Sequence, residues 1–182
     1  NLFVTSYQND QNHEVLGKYA QDKGYKKVML LAPNYQAGKD AAAGFKRDYK
    51  GEISEESYTP LGTLDFQVEL TKIASAKPDA LFTFMPGGMG VGLVKQYRQA
   101  GLADKIPVLS AFTVDESTLP AQQDAAVGMF GGANWAPNMD NPQSKKFVAS
   151  YEAAYNSVPG TYAMQGYDTA MLIDSAVKAV KG

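Results

Sequence analysis

The most conspicuous local motif in this 182-residue chain is Gly87-Gly88-Met89-Gly90-Val91-Gly92. Glycines between a strand and a helix let backbone amides approach an anion at the helix N-terminus. The spacing is not Gly-x-Gly-x-x-Gly in a first βα unit, and it lacks the Lys-Ser/Thr of a nucleotide-triphosphate loop. No acidic residue on a fitting strand follows about 20 residues later, as dinucleotide binding requires. The loop reads instead as a place where a ligand can lie against the main chain. Ser175-Ala176-Val177-Lys178 has the Ser-x-x-Lys spacing of acylating hydrolases, but the companion Ser-Asp-Asn and Lys-Thr-Gly motifs are missing. The single histidine, His13, would have to serve any Ser–His–Asp triad or histidine metal site, and it reads as a solvated or capping residue at a helix start. Glu52, Glu55 and Glu56 read as an exposed face.

Composition narrows the chemistry further. The absence of cysteine removes disulfides, thiol catalysis, zinc ribbons and iron–sulfur ligation. Lys+Arg 17 against Asp+Glu 19 gives a net charge of -2, without the basic excess that nucleic-acid binding uses. No apolar run reaches the roughly 18 residues of a membrane span. The chain offers pocket-forming residues without catalytic equipment. That points to a binding protein rather than an enzyme, with no cofactor or metal.

Short apolar runs alternate with amphipathic stretches and set the framework. The runs are Lys27 to Ala32, Glu52 to Tyr58, Ala80 to Met85, Pro107 to Ser110 and Gly128 to Ala133. They recur at the length of a βα unit. The second, with its three glutamates, belongs at a sheet edge. Between them Val15, Leu16, Tyr19 and Ala20 mark a helix over about 11–23, and Phe66, Leu70, Ile73 and Ala74 another, capped by Asp65. Met89, Leu93, Val94 and Tyr97 mark a third stripe, and Gly38 to Tyr49 is helical and Ala-rich. This alternation predicts an α/β fold, a doubly wound parallel sheet with helices on both faces. Past the linker Pro137-Asn138-Met139-Asp140-Asn141-Pro142 the pattern changes to two successive helices, about 143–156 and 162–180, whose apolar stripes need a surface to cover. The opening Asn1-Leu2-Phe3-Val4-Thr5 reads as a strand without a leader, which suggests a piece of a longer protein.

In open α/β sheets, ligands sit beyond the strand C-termini. The predicted ends gather Asn34, Tyr35, Met85, Pro86, Gly87, Gly88, Phe112, Thr113 and the only tryptophan, Trp135. No arginine or histidine accompanies them, and the one carboxylate is Asp115. Such an edge suits an apolar or aromatic ligand body oriented by hydroxyls and backbone amides.

The order of Asn34-Tyr35-Gln36-Ala37-Gly38 with Gly44-Phe45, Asp79-Ala80-Leu81-Phe82, Gly87-Gly88, Lys95 to Leu102, Trp135-Ala136-Pro137, Asn141-Pro142 and Gly166-Tyr167-Asp168 resembles type I periplasmic binding proteins. Within that family it is similar to the branched-chain amino-acid (leucine/isoleucine/valine) binding proteins of ABC importers. The resemblance implies two α/β lobes that close on a small-molecule ligand by hinge motion, ABC permease partners, no cofactor, and a periplasmic or lipoprotein-anchored location. It implies that residues 1–137 form the second ligand-binding lobe, with Phe3 to Ser6 as a hinge strand, and that 138–182 return to a mostly absent first lobe. That first lobe would hold the carboxylate and amine of an amino acid. The second-lobe contacts would fall at Tyr35, the Pro86-Gly87-Gly88 loop and Phe112-Thr113. Branched-chain amino-acid binders carry a tyrosine at the second place and a glutamate at the third. Pro/Gly and Phe/Thr here, with Trp135, look more like the subgroup that takes aromatic carboxylates. A fragment with exposed apolar helix faces would be able to dimerise by exchanging its C-terminal helices. Two other readings stay open: a flavodoxin-like enzyme lobe, and a ligand-sensing domain of a signalling or transcriptional regulator.

Overall fold

The computed structural model describes residues 2–180; Asn1, Lys181 and Gly182, at the ends of the expected ranges 1–137 and 138–182, lie outside the described residues. The chain divides into two units, Gln8–Ala133 and a second formed by Asn1–Tyr7 with Asn134–Gly182. The division thus falls after Ala133 rather than after Pro137.

The larger unit alternates helix and strand: α1 Gln11–Asp22, β1 Lys27–Pro33, α2 Gln36–Asp48, β2 Glu52–Thr59, α3 Gln67–Ala76, β3 Ala80–Thr83, α4 Gly88–Gln99, β4 Val108–Ser110, α5 Leu119–Gln122 and β5 Phe130–Gly131. The strands form one sheet in the order β2-β1-β3-β4-β5, and every pairing is parallel. β1 and β3 are buried along nearly their whole length, which is why they read as unbroken apolar runs rather than alternating ones. Alternate residues of β1 face opposite layers. Val28 and Leu30 pack with Leu16, Phe45 and Phe82 under α1 and α2. Met29 and Leu31 pack with Phe66, Ile73, Leu93 and Tyr97 under α3 and α4. β2 is an edge strand as its glutamates predict, with Glu55 paired to Lys72 and Glu56 to Lys46.

Two local expectations need correction, and one connection differs from its neighbours. Phe3 to Ser6 are not a strand, because no described segment pairs with them; Thr5 instead shares a hydroxyl hydrogen bond with Thr169. His13 is not solvated but fully buried. The crossover from β4 to β5 is made by α5 and a single 3-10 turn, Gln123–Ala126, which lack the long apolar stripe that announced the other helices.

The second unit holds α6, Pro142–Tyr155, and α7, Thr161–Ala179. The Asn141 side chain accepts the Ser144 amide at 2.8 Å and Pro142 occupies the first turn, so α6 starts where its capping chemistry dictates. Trp135, Phe147 and Met164 form its small core, while Leu172, Ile173 and Val177 on α7 are exposed.

Candidate functional site

The order 2-1-3-4-5 reverses direction between β1 and β3, and in doubly wound sheets the crevice beyond the strands at that switch is where ligands bind. Asn34 and Tyr35 follow β1 there, and Phe84 to Gly87 follow β3. Phe112 and Thr113 follow β4, the next strand along. These two stretches and the β4 turn form the candidate edge.

Tyr35 stacks on Phe84 with ring centroids 6.3 Å apart at 18°, and Phe84 meets Phe112 edge-on at 6.2 Å. Partial burial pushes the Tyr35 hydroxyl above the usual phenol range, so it stays a neutral donor and acceptor. Asn34 is exposed, and its amide donates to the Thr59 carbonyl at 2.7 Å, tying the turn to β2.

Gly87 caps α4 with φ 60°, a conformation that favours glycine. Gly87 and Gly88 are exposed, and a Cβ built on either would meet nothing within 4 Å. The main chain of this loop is therefore open to a ligand, beside the free amides of the first turn of α4. Pro86 is half-buried beside it.

Met85 and Thr113 lie behind this surface. Met85 is fully buried in the layer under α3 and α4. Its backbone N–H donates to the Thr113 hydroxyl at 2.8 Å, joining the turns after β3 and β4. The Thr113 carbonyl accepts from the Gln122 side chain at 2.6 Å and from the Thr118 hydroxyl at 3.2 Å. Asp115, the edge's one carboxylate, accepts the Ser117 and Thr118 amides at 2.9 and 3.1 Å and so closes its own turn. Met85 and Thr113 therefore brace the edge, with no side-chain surface of their own.

Trp135 belongs to the other unit. It is buried against Phe147, and its indole N–H donates to the Ser144 hydroxyl at 3.1 Å. An open cleft of about 300 Å³ within that unit is lined by Trp135, Asn141, Tyr167 and Asp168, among others.

Two contributors escaped the sequence reading. Phe84 joins Tyr35 to Phe112. His13, in the first turn of α1, lies edge-on to Phe84 at 5.1 Å and to Phe112 at 6.1 Å. Because α1 runs into β1, its N-terminus must stand at the end of the sheet where β1 finishes, and that placement was available from topology. Burial lowers the His13 pKa from 6.5 to about 4, against the opposing pull of Asp10. Ser175 donates to the Leu172 carbonyl at 2.8 Å and Lys178 pairs with Asp174, so the Ser-x-x-Lys spacing assembles no nucleophile. No group of three or more metal-ligating side chains occurs among the described residues.

Comparison with known proteins matches this geometry to a family. The model described as periplasmic binding protein matches residues 1–182. The Leu/Ile/Val-binding protein homolog 6 of Brucella melitensis is 33% identical over 150 residues, covering 79% of this chain and 38% of the relative. A solute-binding protein of an ABC transporter from R. palustris, solved in complex with benzoate, is 34% identical with a TM-score of 0.90, over 99% of this chain and 50% of that one. The branched-chain amino acid transporter substrate-binding protein LivJ of Streptococcus pneumoniae, solved with isoleucine, is 26% identical with a TM-score of 0.87, over 97% and 51%. The chain thus spans about half the length of these solved relatives. With the family match running over residues 1–182 and the parallel sheet and its strand order beside it, the chain belongs to the periplasmic binding protein family.

Proposed function

We propose that the chain is the ligand-gripping part of an extracytoplasmic solute-binding component of an ABC importer, and that its solute is an aromatic carboxylate in preference to a branched-chain amino acid. The observation that carries this reading is the edge itself. Tyr35, Phe84 and Phe112 form an aromatic wall beside the exposed Gly87-Gly88 main chain, and Asp115 is committed to closing its own turn rather than to an α-ammonium group. Rings recognise a planar aromatic body by stacking and edge contacts, and open backbone amides and a neutral phenol orient its polar ends. The relative solved with benzoate is 34% identical and the one solved with isoleucine 26%, which supports the same preference.

Capture needs no bond-making. Closure of two lobes around the solute would be a population shift driven by contacts made only in the closed state. In this reading Gln8–Ala133 is most of one lobe, α6 and α7 belong to the other, and the permease reads the closed form. Calorimetry on the full-length protein tests the proposal. Hydroxybenzoates should bind at micromolar or tighter affinity, and binding of leucine with no binding of any benzoate would refute it.

A further inference from the structure

His13 and Phe112 each carry an unusual feature, and the two features meet at one contact. His13 is fully buried, yet neither ring nitrogen has a hydrogen-bond partner. Buried polar groups are almost always paired, and an exception asks for an explanation. Phe112 holds φ 60°, a backbone conformation that a bulky side chain adopts only under constraint from its surroundings. The two rings are edge-on at 6.1 Å, and Phe112 closes over the imidazole together with Phe84. Strain and an unmet hydrogen bond at a ligand edge are where sequences give up stability for function.

We infer that His13 is a specificity-determining residue of this edge, and that its imidazole receives a phenolic hydroxyl of the solute when Phe112 turns aside. The inference rests on the solute-binding reading above and names the solute class more closely, as a hydroxylated aromatic acid. A neutral imidazole offers one donor and one acceptor, the complement of a hydroxyl, which also offers both. A carboxylate would use only the imidazole N–H, leave the second nitrogen unpaired and bring a full charge among the rings. The surroundings oppose that charge: Phe82, Phe84 and Phe112 are the rings that face His13, and Asp10, its charged neighbour, is already paired with Arg47 of α2. The solute's hydroxyl therefore points toward α1, and its carboxylate is held elsewhere. On binding, Phe112 relaxes toward extended backbone, and the imidazole gains the partner it lacks.

The test compares benzoate with 4-hydroxybenzoate on the full-length protein by calorimetry. The parent should bind the hydroxylated acid at least about tenfold more tightly, since a site built to hydrogen-bond a hydroxyl discriminates against its absence. In His13→Phe, which removes both ring nitrogens and keeps the slot filled, the ratio should fall to about one. Equal affinities in the parent, or a preference that survives in His13→Phe, overturns the inference and leaves the solute-binding reading standing. Binding of neither acid by the parent removes that reading, and the inference with it. Should His13→Phe fail to fold, the parent alone decides. The His13 imidazole resonance should shift with saturating 4-hydroxybenzoate and not with benzoate, and equal responses to both refute the role.

Discussion

Acid should loosen the unit Gln8–Ala133 through the one buried imidazole. The unfolded chain protonates His13 near 6.5, whereas the folded chain holds it neutral down to about 4. The unfolded state therefore binds more protons across that interval, and stability must rise with pH there. His13 imposes no penalty above 6.5; the penalty grows as pH falls toward about 4 and is constant below it. At about 1.4 kcal/mol per pH unit the whole window amounts to about 3 kcal/mol, of which about 2 kcal/mol arises between pH 6.5 and 5. That upper stretch is the informative one, because most carboxylates titrate below it. Urea unfolding followed by far-UV circular dichroism and by hydrogen exchange of the strand amides should show the loss in the parent and a much flatter profile in His13→Phe. Tryptophan emission is the wrong probe, since the only tryptophan, Trp135, lies in the other unit. The imidazole resonance supplies the midpoint directly. A midpoint near 6.5, or the same slope in parent and variant between pH 6.5 and 5, refutes the reasoning.

Two further substitutions probe the framework. Gly17→Ala places a Cβ 2.0 Å from the Phe45 carbonyl oxygen, where α1 and α2 approach closely, so the helices must separate. A loss of about 1–3 kcal/mol in denaturant unfolding is expected, and an unchanged midpoint would show that the two helices yield freely. Tyr97→Phe removes the buried hydroxyl that donates to the Ile106 carbonyl at 2.9 Å. Leaving that oxygen unpaired should lower stability by about 1–2 kcal/mol without altering ligand preference, measured by the same unfolding and by calorimetry.

The sheet was legible because its central strands are short and apolar on both faces, and because the helices between them carry periodic stripes. Val28 to Ala32 and Ala80 to Thr83 lie in strands flanked on both sides by helices, and they read that way. The edge glutamates of β2 declared their place for the same reason in reverse. Legibility failed where position depends on a distant partner. Phe3 to Ser6 have the residues of a strand, but a strand exists only when another lies beside it. His13 was misjudged because polarity and a helix-start position suggest solvent, while the three phenylalanines that bury it come from β3 and the turns after β3 and β4. For Met85 the strand-end position was read correctly. Which face it took depends on counting pleats from Phe82 and Phe84, whose rings occupy the opposite layer. Trp135 drew attention as an aromatic near a strand end, yet its indole N–H finds its partner nine residues on, at Ser144.

The sheet ends in a way that also limits what can join it. On one margin β5 is only two residues long, too short a template for a guest chain to ladder onto. On the other, a newcomer beside β2 would have to settle against Glu52, Glu55 and Glu56, whose charges resist an unsolicited neighbour while they stay ionised. Edge-to-edge stacking into fibres is thus discouraged at both borders, and the two faces are already roofed by helices.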